Sequence, residues 1–133
     1  MLATLGVPFD EDAAALAVDS AVEAGQPLLL VNVVELLLGP WSVALRYGDL
    51  DDDPEDAEAL CAPALLAARL GVEVERLRVQ SPHPVDALVE LAAEREPGLL
   101  VFGPDRARLK PRSYRKAARA VRRRVACLVW LAD

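Results

Sequence analysis

Histidine and cysteine are nearly missing from this 133-residue chain, which has one His and two Cys. His83 stands between Pro82 and Pro84, with no second His to share a metal and no partners placed for a triad. Helix capping or plain exposure is what it supports. Cys61 and Cys127 have no metal-ligand spacing and lie in apolar surroundings. They read as core thiols of a reducing cytoplasm, and no metal site is expected. Aromatics make up only 5% of residues against 53% hydrophobic ones, so the core must be built from Leu, Val and Ala. Ser20, Ser42, Ser81 and Ser113 lack a nucleophile-elbow context. With no catalytic constellation, a binding protein is expected rather than an enzyme. No apolar run approaches the ~20 residues of a membrane span. The short apolar start has no basic flank and soon meets Asp10, Glu11 and Asp12, so no signal peptide is expected.

What the chain does have is a division of charge. Its net charge of −6 hides twenty acidic and five basic residues in 1–105, then ten basic and no acidic residues in 106–124. Arg112, Arg115, Lys116, Arg119, Arg122 and Arg123 recur at helical spacing on one face, and Tyr114, Ala118, Val121 and Val125 fall on the opposite, core-facing stripe. Three readings of that face stay open. It is a solvated surface neutralised by acidic groups, a site for a nucleotide, a phosphate compound or an acidic protein, or a nucleic-acid surface. The last is disfavoured by the net charge and by the inward placement of Tyr114, the one aromatic of the segment.

Hydrophobic patterning predicts β-α-β-loop-α-β-α-β-α-β in one domain, 1–133, the order of a doubly wound parallel α/β sheet. Met1–Val7 reads as the first strand, followed by a helix from Glu11 to Ala24 with Asp10 as N-cap and Gly25 as its stop. Leu28–Val34 is a central strand with Asn32 as its one polar interruption. Residues 36–53 form a long loop in which Asp49, Asp51, Asp52 and Asp53 lack the pattern of a calcium loop. Trp41 and Tyr47 are there to close over a pocket or to bury at a dimer contact, the second being preferred. Pro54 opens a second helix to Leu70, which Pro63 should kink or break. Val72–Val79 alternates imperfectly, as an edge strand does. Pro84 opens a third helix ending near Glu96. Leu99–Phe102 is a strand buried on both faces, and Val125–Leu131 is the last.

Over its whole length the chain resembles the universal stress protein family. The resemblance is carried by Met1–Leu5, Leu28–Val33, Pro84–Ala93, and above all Leu99–Gly103 followed by Ala126-Cys127-Leu128-Val129. It implies a five-stranded parallel sheet in order 3-2-1-4-5, and homodimers pairing through the last strand, here Val125, Leu128, Val129, Trp130 and Leu131. For one branch it implies ATP at the switch point, held by Gly-x2-Gly-x9-Gly-Ser/Thr after the fourth strand and an Asp after the first. Gly6, Val7 and Pro8 stand where that Asp is expected, and Val33 ends the second-strand match. Gly103 keeps the first glycine, while Arg106, Lys116 and Ala117 stand at the second glycine, the third glycine and the hydroxyl. A phosphate cradle needs free backbone N–H groups, and Pro104 and Pro111 have none. Asp105 adds negative charge beside them. ATP bound in the family manner is therefore not expected. Arg106, Arg108, Lys110 and Arg112 remain candidates to hold an anion by side chain, with ATP and weak hydrolysis as the alternative.

Overall fold

In this computed structural model the described residues are 1–36 and 54–132, the side chains of 54–59 excepted. The long loop with Trp41, Tyr47 and its aspartates lies outside them. The elements are β1 (Leu2–Thr4), α1 (Glu11–Ala24), β2 (Leu28–Glu35), α2 (Pro54–Arg69), β3 (Val74–Ser81), α3 (Pro84–Arg95), β4 (Leu99–Phe102), α4 (Pro111–Arg124) and β5 (Leu128–Leu131). All strand pairs are parallel, in the order β3-β2-β1-β4-β5. The order reverses between β1 and β4, and the crevice beyond their carboxyl ends is the place where such sheets bind ligands.

Strand alternation divides the core in two. Leu2, Leu28, Leu30 and Val101 face α1 and α2, meeting Ala13, Ala17, Val18, Leu60 and Ala67. Ala3, Val31, Val33, Leu100 and Phe102 face α3 and α4, meeting Leu88, Tyr114, Ala117, Ala118 and Val121. Small residues on α1 let that helix sit close to the sheet. Its start is fixed by Asp10, whose Oδ1 accepts the Ala13 N–H at 3.0 Å, and its end by Gly25 at φ 62°.

Three expectations need correction. β1 ends at Thr4 rather than Val7, because the Thr4 hydroxyl donates to the Val7 carbonyl (2.7 Å) and Gly6 takes φ 64°, turning the chain out of the sheet. α2 runs unbroken through Pro63, whose ring is buried on the same stripe as Leu60 and Ala67. The apolar contact of that ring offsets the missing N–H bond. β5 begins only at Leu128. Val125 is instead the C-cap of α4, its N–H bonded to the Val121 carbonyl.

Candidate functional site

The two loops at the switch point are tied to each other. The Asp10 N–H donates to the Gly103 carbonyl (2.9 Å) and the Asp105 N–H to the Pro8 carbonyl (2.8 Å), around an antiparallel bridge between Phe9 and Pro104. Both bridge residues are buried. Gly103 is buried too, and its own N–H goes to the Ala3 carbonyl at 3.0 Å. A Cβ placed on it would lie 2.2 Å from Ala13 Cβ. The glycine is thus required by the passage of the loop over α1, whether or not a phosphate approaches.

Asp105 organises the loop between Pro104 and Pro111. Its Oδ1 accepts the Ala107 N–H (2.9 Å), its carbonyl accepts the Arg108 N–H (3.2 Å), and its Oδ2 lies 3.6 Å from Arg108 Nε. The N–H groups of Asp105, Ala107 and Arg108 are therefore engaged inside the chain. The carboxylate supplies from within the negative charge that a phosphate would bring. Arg106 lies with its guanidinium carbon 4.9 Å from the centre of the Tyr114 ring, which stacks on Phe102. The Tyr114 hydroxyl donates to the Ala132 carbonyl, fastening α4 to the end of β5.

On the β1 side, Gly6 is exposed and its N–H donates to Asn32 Oδ1 at 2.9 Å. Asn32 is fully buried on β2, and its Nδ2 has no hydrogen-bond partner among the described residues. The structure brings Gly6, Val7, Pro8, Gly103, Asp105 and Arg106 to the two switch-point loops, with Arg108 and Lys110 leading to the α4 N-terminus, where Lys110 is the N-cap. It does not bring the Val33 and Ala117 side chains there, since both are buried in the core on the α3/α4 face. Arg112 and Lys116 belong to a separate, open trough along α4, with Arg115, Arg119 and Arg123.

Among the described residues, the one ion pair of α4 joins Arg124 to Asp86 of α3. The hydrogen bond from Arg124 holds the Asp86 carboxyl below its ordinary value. On the far side of α3, Glu75 accepts two hydrogen bonds from Arg95 and pushes the guanidinium pKa up. No group of three or more His, Cys, Asp or Glu among the described residues is placed to hold a metal, and no helix there is long and apolar enough to cross a membrane.

The Phe9–Pro104 bridge and the Ala13 contact had no local signal in the sequence, since each joins segments about ninety residues apart. Asn32 did have one, as the single polar residue in an apolar strand.

A doubly wound parallel domain with its loops meeting at the β1/β4 switch point belongs to the α/β class that binds small ligands at that crevice. More narrowly, the chain belongs to the universal stress protein family, whose model matches residues 1–132. Solved structures agree in fold. A universal stress protein family member from Burkholderia pseudomallei superposes with a TM-score of 0.66 at 18% identity, covering 98% of this chain and 94% of that one. The Archaeoglobus fulgidus universal stress protein in complex with dAMP gives 0.65 at 19% identity, covering 99% and 96%. A universal stress protein in complex with cAMP gives 0.63 at 19%, covering 100% and 97%. No curated protein matches the sequence significantly.

Proposed function

We propose that this universal stress protein acts by binding, and that its working surface is the basic face of α4 rather than a nucleotide held in the family manner. One contrast carries the reading. The switch-point loop satisfies its donors with Asp105 and the facing loop, whereas Arg112, Lys116, Arg119, Arg122 and Arg123 make no ion pair with any described residue. Cations left unneutralised along one helix suit an anionic ligand or an acidic partner. At the edge of the sheet, Leu128 is 72% exposed on β5, which supports a homodimer pairing through that strand with Val129, Trp130 and Leu131. Cys61 and Cys127 are unpaired, which fits a reducing cytoplasm.

A thermal-shift series tests the reading. A ligand at about 100 times its Kd adds roughly 2.7 kcal/mol of stability. Millimolar ATP or AMP with magnesium should leave the melting temperature unchanged, whereas a polyglutamate peptide should raise it. The second reading, nucleotide binding with weak hydrolysis by way of Arg106, draws support from the unpartnered Asn32 Nδ2 beside Gly6. The dAMP and cAMP in the related structures point the same way. It requires a shift with ATP, and adenine nucleotide released when purified protein is denatured.

A further inference from the structure

We propose that the cationic face of α4 docks on the acidic face of α1 in a second copy of this chain, joining copies head to tail through a salt-sensitive contact. This rests on α4 being an anion-binding surface, and it names the anion.

The charges match in sign, length and freedom. α1 exposes Glu11, Asp12, Asp19 and Glu23 and contains no Lys or Arg, while α4 contains no Asp or Glu. Each helix has 14 residues, so each presents its charge over about 21 Å. Among the described residues none of the four α1 carboxylates forms an ion pair. Arg112, Arg115, Lys116, Arg119 and Arg123 line an open trough of about 570 Å³ with no carboxylate in it. Arg forks in such a trough suit carboxylates offered from another surface.

The fold prevents the two helices from neutralising each other within one chain. α1 packs on one face of the sheet and α4 on the other, so each domain is negative on one side and positive on the opposite side. A contact from the positive side to another copy's negative side is heterologous, and it repeats instead of closing. A wide polyanion fits less well. Asp86, Glu90 and Glu94 are exposed on α3, the neighbour of α4, and would face a nucleic-acid duplex laid along the trough.

Sedimentation velocity of the full chain tests this at about 50 mM and about 500 mM NaCl, where surface pairs differ strongly in screening. Wild type should form species larger than a dimer at low salt and lose them at high salt. A dimer joined through β5 would survive both. Arg115→Glu/Arg119→Glu and Asp19→Arg/Glu23→Arg should each weaken the association roughly tenfold or more, given several exposed pairs of ~0.2–1 kcal/mol each. Combining all four should restore it, with unchanged circular dichroism confirming that each variant is folded. Association that survives Asp19→Arg/Glu23→Arg, or the absence of any salt-dependent species, overturns the proposal. Binding of labelled polyglutamate separates the two claims. If it binds wild type but not Arg115→Glu/Arg119→Glu, α4 remains an anion-binding surface even where self-docking fails; if it binds neither, both fall. Selective capture of a duplex oligonucleotide by α4 without self-association also overturns the docking proposal.

Discussion

Replacing Gly103 by alanine adds one methyl group where α1 leaves no room. Its carbon would sit 2.2 Å from Ala13 Cβ, against the ~3.5–4.0 Å of an ordinary carbon contact. Neither side yields easily. Ala13 is fully buried in a helix, and Gly103 is held by hydrogen bonds at both its N–H and its carbonyl. Overpacking of this kind costs about 1–3 kcal/mol, and a shortfall above 1 Å between two backbone-anchored carbons puts Gly103→Ala near the upper figure. For a domain of this size that is a fall in melting temperature of about 10 °C. Ala13→Gly removes the obstacle but puts a glycine in a helix, at about 1 kcal/mol. The double variant should nevertheless be more stable than Gly103→Ala alone, with a coupling of at least about 1 kcal/mol in a urea-denaturation cycle. Gly103→Ala within about 0.5 kcal/mol of wild type, or strictly additive effects, would refute the claim that packing on α1 accounts for this glycine.

Asp105→Ala removes the acceptor of the Ala107 N–H and the loop's internal negative charge. It should lose about 1 kcal/mol of stability and, by titration calorimetry, gain pyrophosphate binding that wild type lacks; equal binding by both would refute the role given to the carboxylate. Tyr114→Phe loses the hydrogen bond to the Ala132 carbonyl. It should cost about 1 kcal/mol and speed amide exchange at Ala132, whose N–H pairs with Phe102. Asp86 is held below its ordinary pKa by Arg124. The contribution of that pair is present at neutral pH and is lost as pH falls through the depressed value. The pH dependence of melting in Asp86→Asn should therefore be flatter in the acid range, and identical curves would remove the pair from the account.

The architecture was legible because each element carries its own local marks. Asp10 and Gly25 bracket α1, Pro84 and Pro111 open α3 and α4, and the four-residue β4 stands in the sequence as an unbroken apolar run. The errors fell where a tertiary contact overrode a local rule. Pro63 reads as a breaker but contributes a ring to the core, and Val125 reads as strand but ends a helix. The site was half legible. The departures after Gly103 are visible as residue types, and a shortage of amide donors follows from Pro104 and Pro111 alone. That Asp105 and the Pro8–Asp10 segment would take up three of the remaining donors and acceptors depends on two loops meeting across the sheet, which no window of sequence contains.

The lacing of Asp10 to Gly103 and of Pro8 to Asp105 also bears on rates. Two main-chain bonds and a buried Phe9–Pro104 step must part before anything can settle between β1 and β4. Entry of a guest is then limited by how often those lips separate, so the observed rate should level off as guest concentration rises. A crevice stitched in this way filters by patience before it filters by shape.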